Sequence, residues 1–132
     1  MIFNAVGGCD SSNSGGLQMD LLWTNAKPTS KFAAQTVSID LSGYAAIVVT
    51  SREYCGRNNQ HATFIPVDNT AYWIHQGFVE AGTPIEMHSR KVTASATGCT
   101  FGAGYDQGVE YGESSNEAAV PVKIYGIKGS VT

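Results

Sequence analysis

His61, His75 and His88 are the side chains best suited to ligate a metal or move a proton, but their spacing gives them no common element. They lie 14 and 13 residues apart, form no helical His-x-x-x-His pair and have no cysteine beside them. That spacing predicts exposed or hydrogen-bonded imidazoles and no metal cofactor, with a histidine cluster shared between copies as the alternative. The stretch 106–117 offers oxygen ligands for calcium, yet only its endpoints Asp106 and Glu117 match an EF-hand loop, so it reads as a solvated loop. Glu53, Glu80, Glu86 and Asp106 are the carboxylates from which an acid–base pair for glycoside hydrolysis would be drawn. Nothing in their spacing sets two of them about 5 to 9 Å apart across a cleft. The chain has no Gly-x-Ser-x-Gly elbow, and its Gly-rich stretch before Leu17 has no lysine to make a phosphate loop. A non-enzymatic protein without catalytic residues or cofactor is the expectation.

Binding chemistry is better represented. Tyr54 opens the run Tyr54, Cys55, Gly56, Arg57, Asn58, Asn59, Gln60 and His61, a loop of hydrogen-bonding groups. Tyr72 and Trp73 follow a turn, and Tyr105 and Tyr111 flank Gly-rich segments. Aromatic faces bury area at small entropic cost while Asn and Arg set orientation, the combination used to bind sugars and protein surfaces. Tyr54, Arg57, Asn58, Asn59, His61, Tyr72, Trp73 and Tyr105 are therefore the candidate ligand- or partner-binding residues. The competing reading makes them ordinary strand and turn residues.

The elements that position them are strands. Val37, Ile39 and Leu41 alternate with Thr36, Ser38 and Asp40, the pattern of a half-buried antiparallel strand. Strands are expected over 17–24, 31–41, 45–54, 62–67, 71–79, 85–96, 99–101 and 120–130. Between them lie turn residues such as Asn25 to Pro28, Ser42-Gly43, Asp68-Asn69, Ala81 to Pro84 and Thr97-Gly98. The continuous apolar run Ala45 to Val49 predicts a central strand, and one short helical turn is expected near 113–118. The fold class expected is all-β, an antiparallel two-sheet β-sandwich of jelly-roll-like type with about eight strands, over residues 17–132. Residues 1–16, rich in Gly and Ser, read as an N-terminal arm or loop.

Charged residues make up 14 % of the chain, against about a quarter on average. The net charge of −3 gives no basis for binding nucleic acid, which needs clustered Lys and Arg. No apolar run approaches the ~20 residues of a membrane span, and the start lacks the basic and apolar regions of a signal peptide. A protein made in the cytoplasm without a secretion signal is expected. Cys9, Cys55 and Cys99 cannot all pair within one chain and read as free thiols.

The segments Leu21-Leu22-Trp23-Thr24-Asn25, Pro28-Thr29-Ser30 and Phe32 to Tyr44, with the closing Val122-Lys123-Ile124-Tyr125-Gly126-Ile127-Lys128, resemble small β-rich structural proteins of tailed phages and prophages, encoded among tail and fibre genes. The resemblance covers both ends of the chain; after Ser42-Gly43-Tyr44 this chain has Ala45-Ala46 where the family usually has Asp-Ala, and the match is loose from Arg52 to Glu117. It implies a non-enzymatic virion structural protein of the tail-fibre or receptor-binding-tip type, released by lysis, and homotrimeric as phage fibre heads commonly are. A capsid decoration protein (head fibre) and a carbohydrate-binding module are the alternatives. The partners implied are other copies of the chain, other virion proteins and a glycan or protein of the host surface.

Overall fold

The computed structural model describes residues 17–79, 81–82, 84–106 and 113–128. The expected N-terminal arm, Cys9, Glu80, Tyr111 and the middle of the acidic stretch lie outside the described residues. Those described form nine strands and no helix: β1 (Gln18–Thr24), β2 (Gln35–Ser38), β3 (Ala46–Tyr54), β4 (Gln60–Pro66), β5 (Ala71–Phe78), β6 (Glu86–Ser95), β7 (Gly98–Asp106), the two-residue β8 (Glu113–Ser114) and β9 (Ala118–Lys128). They build two antiparallel sheets. Sheet 1 runs in the order β1-β9-β3-β4, and sheet 2 runs β2-β7-β6-β5 with β8 beside β7.

The arrangement is a jelly-roll-like sandwich. The first strand pairs with the last and β2 with β7, nesting the chain ends around its middle. Two local hairpin systems, β3-β4 and β5-β6-β7, keep consecutive strands in one sheet. Their turns follow from local chemistry. Asn69 adopts φ 59° beside Asp68, whose carboxylate accepts the Thr70 amide at 3.0 Å. At the β6-β7 turn, a Cβ on Gly98 would come within 2.4 Å of the Val37 carbonyl, so only glycine lets β2 lie this close.

Alternation places the core as expected. Val37 and Leu41 are buried and Ile39 packs against them, while Thr36, Ser38 and Asp40 face water. The inner faces contribute Ile47, Val49, Ile65, Ile74, Val92, Phe101, Val120 and Ile124, all essentially without solvent exposure. Burying each such side chain stabilises the fold by about 1.5–3 kcal/mol. Trp23, Phe32 and Phe101 meet at one edge of this core, Phe32 and Phe101 edge to face with centroids 5.4 Å apart.

Three local expectations are corrected. The short turn expected near 113–118 is confined to its end, where the Ala118 amide donates to the Ser115 carbonyl at 3.1 Å, because Glu113 and Ser114 pair with Asp106 and Tyr105 as β8. The strand begun at Cys99 continues to Asp106, its glycines occupying positions where neighbours crowd the backbone. The segment 31–41 forms only four residues of strand, Gln35–Ser38, where its backbone meets β7.

Candidate functional site

Glu53, Arg57, Glu86, His88, Asp106 and Glu117 gather at one end of the sandwich. Antiparallel order brings there the last residues of β3, β5 and β7 and the first of β4, β6 and β9. Glu53 points inward from β3 and is fully buried. Arg57, in the turn after β3, bridges it to Glu86 on β6, with Nη1 3.4 Å from Glu53 Oε1 and 2.7 Å from Glu86 Oε2. The hydrogen bond from Arg57 holds the Glu86 carboxyl below its ordinary range and raises the guanidinium in turn. Asn59 donates to Glu53 Oε1 at 3.4 Å, while Glu53 Oε2 has no hydrogen-bond partner among the described residues.

His88 stands two residues beyond Glu86 on the same inward face and is buried. Its Nδ1 lies 2.7 Å from Asp106 Oδ1 and its Nε2 3.4 Å from Glu86 Oε2. Both ring nitrogens are thus engaged by carboxylates, which orients the imidazole and leaves neither nitrogen turned toward a reacting group. Tyr54 packs beside this ring at 5.8 Å and donates its hydroxyl to Glu117, a hydrogen bond that pushes the phenol up to about 12. Between the sheets, the Ser51 hydroxyl donates to Gln76 Oε1 at 2.8 Å, and Gln76 Nε2 donates to the carbonyls of Asn59 and Ser51. The whole network braces the sheets where the apolar core ends.

A second cluster stands on the outer face of sheet 2. Trp73 and His75, at alternate positions of β5, stack with centroids 6.0 Å apart and planes inclined by 27°. Tyr105 on β7 leans over β6 to meet Trp73 edge-on at 6.2 Å. Lys91, directly opposite Trp73 on β6, sets its ammonium 5.0 Å from the indole centroid.

The eight predicted residues therefore separate. Tyr54, Arg57 and Asn59 join the polar end, and Asn58 lies beside them, accepting from Arg52 Nη1 at 2.9 Å. Trp73 and Tyr105 meet on the outer face of sheet 2. Tyr72 turns away from them and donates to Asp68 at 2.6 Å. His61 is not a loop residue: β4 begins at Gln60, and His61 stands exposed on that edge strand opposite Ser51. Asp106 is likewise not part of a solvated loop but the end of β7, held by His88.

Sequence reasoning passed over Glu53, Glu86, His88 and Glu117 as parts of one cluster, and His75 and Lys91 as neighbours of Trp73. Two-residue spacing placed Glu86 with His88, and Trp73 with His75, on common faces; the cross-strand partners required the register. Among the described residues no three His, Cys, Asp or Glu side chains converge as a metal site, and the three histidines lie on three different strands. No protein-family model, curated protein or solved structure matches the chain.

Proposed function

We propose that this chain is a non-enzymatic structural module of a tailed-phage particle, displayed on its surface in the manner of a tail-fibre or receptor-binding-tip domain. The observation that carries the reading is the state of the polar end. Apart from Glu53 Oε2, which meets no described donor, its carboxylates, imidazole, guanidinium and phenol are engaged with one another, so the groups best able to do chemistry brace the sandwich instead. The resemblance to phage structural proteins supports it from the sequence side. Its two segments are neighbours in space, since Leu21 pairs with Tyr125, Trp23 with Ile124 and Thr24 with Lys123.

The edges of both sheets offer backbone groups for pairing with further copies, the trimer implied by that resemblance, or with other virion proteins. Mass spectrometry of purified particles, with gold-labelled antibody in electron micrographs, tests the assignment. The expected result is a fixed copy number at the tail; hundreds of copies on the head indicate a decoration protein. Absence from particles overturns the proposal.

A further inference from the structure

We propose that the outer edge of β5 pairs antiparallel with β5 of a second copy, about a two-fold axis at His75, so that sheet 2 of each copy joins one continuous sheet. The sandwich has four edge strands, β1 and β4 in sheet 1 and β2 and β5 in sheet 2. Three of them carry features that discourage pairing. β1 bears Asp20 and shifts register between Leu21 and Trp23, β2 has only four residues, and β4 closes on Pro66, which has no amide to donate. β5 has none of these. It keeps register with β6 over eight consecutive pairs, Ala71 to Phe78, and contains no Pro, Asp, Glu, Lys or Arg. Among the described residues its other edge makes no backbone hydrogen bond, which leaves the N–H and C=O of every second residue without a backbone partner.

The residues of β5 select a second copy of the same strand. In a two-fold pair centred on His75, Trp73 stands opposite Gly77 of the partner subunit, and Ile74 stands opposite Gln76 of the partner subunit. Every such pair joins positions of like parity, so exposed residues such as His75 and Gly77 stay on the outer face while Ile74 and Gln76 stay buried. No charged side chains are set against each other. Gly77 is the position that a partner explains. In its own sheet a Cβ there would meet the flexible Met87 side chain at 3.2 Å and the Glu86 carbonyl at 3.9 Å, so one copy alone has small need of glycine. Glycine within a strand marks close approach by another group, and here it clears the ground for an indole reaching across, twice by symmetry. A contact that uses the same edge on both copies closes at two, so it is separate from the trimer implied by the phage resemblance.

The inference goes beyond the particle-surface reading, and the two fail separately. A monomeric chain found in particles overturns this inference alone, whereas a dimer absent from particles overturns only the other. The test is sedimentation equilibrium of the intact chain over a range of concentrations, repeated with His75→Glu, with His75→Lys and with an equimolar mixture of the two. His75 is exposed on β5, so neither substitution disturbs the core, and circular dichroism establishes that each variant is folded. Amide hydrogen exchange of the wild type at high and low concentration follows the β5 edge directly. It needs no variant and decides alone if a substitution unfolds the chain.

The wild type should approach twice the chain mass of 14.0 kDa as concentration rises. Each charged variant should self-associate about fivefold more weakly, because like charges meet on the axis, and mixing the two should restore association to the wild-type level or above. Amides of β5 should gain protection with concentration while those of β4 do not. A wild type that stays monomeric at its highest soluble concentration, or a mass of three copies, overturns the inference. So does a folded like-charged variant that pairs as well as wild type, a mixture that fails to recover, or β5 amides indifferent to concentration.

Discussion

Arg90 Nε donates a 2.9 Å hydrogen bond to the carbonyl of Ala119, a residue held at φ 46° where β9 begins. The same guanidinium donates to Gly102 at 2.7 Å, Ala118 at 2.8 Å and Asn116 at 3.4 Å, all backbone carbonyls, and lies over the Phe32 ring. Arg90 has no solvent exposure, and burial pulls its guanidinium down to about 10. It acts as a peg holding the entry of β9 against β7. Arg90→Met should keep the volume and strip these carbonyls of their donors, lowering stability by about 3 kcal/mol or more. Urea unfolding followed by circular dichroism measures this, and a loss under about 1 kcal/mol would contradict the role.

Gly104 leaves room for that peg. A Cβ there would lie 2.2 Å from the Ser115 carbonyl, 2.6 Å from that of Ala118 and 2.8 Å from Arg90 Nη2. Gly104→Ala should cost about 2 kcal/mol or more by forcing backbone apart. Gly102→Ala meets the Lys91 Cβ at 3.4 Å and should cost less than about 1 kcal/mol. Thermal melts of the two variants side by side check the contrast.

Arg57 is the cation between two carboxylates. Breaking a fully buried pair costs about 3–5 kcal/mol, but the Arg57 side chain is 37 % exposed, so about 2 kcal/mol is expected for Arg57→Ala. The pH dependence has a definite sign. Because Glu86 is held below its unfolded value, its share is present above about pH 4.3 and is lost as pH falls through the folded value. The stability gap between wild type and Arg57→Ala should therefore narrow below about pH 4, as denaturant titrations across that range would show.

Tyr54 supplies the alkaline counterpart. Its phenol is raised to about 12 by donation to Glu117, so that contribution is intact below about pH 10 and disappears as pH climbs through the folded value. Tyr54→Phe should cost about 1–2 kcal/mol at neutral pH and nothing further above pH 12. Ultraviolet difference titration should lose one late-titrating phenol in the variant and keep those of Tyr44 and Tyr72, which donation to Asp20 and Asp68 also raises.

Thiol chemistry separates two cysteines. Cys99 is buried in the core, which pushes its thiol up to about 12, whereas Cys55 is partly exposed. Iodoacetamide at pH 8 followed by peptide mapping should modify Cys55 readily and reach Cys99 only after denaturation. Modification of both at equal rates in the native protein would contradict this.

Periodicity made the scaffold legible and left the site obscure for a physical reason. Val37 and Leu41 announce their burial through their own alternation, which needs no knowledge of partners. His88 carries no such mark, because Asp106 reaches it from another strand and Glu117 meets Tyr54 across 63 residues of chain. The strand from Cys99 reads as ending at Phe101 because Gly102 and Gly104 have no side chains to alternate, though Gly104 is there to make room for Arg90. Trp73 and Tyr105 were legible as aromatics, but their meeting depends on the bulge between Arg90 and Val92 that sets how β7 runs past β6.

The central place of β9 in sheet 1 fixes an order of events during synthesis. Its two neighbours, β1 and β3, are made long before it and cannot hydrogen-bond to each other across the gap it fills. As the chain leaves the ribosome, only the β3-β4 hairpin can assemble in that sheet, while β1 waits with both backbone edges unpaired. Closure of the sandwich is thus delayed until β9 has emerged, after most of the loop-closure entropy has been faced at once. A stop within β9 should yield an insoluble product rather than a shortened domain, and slowing translation upstream of it should prolong the nascent chain's need for chaperones.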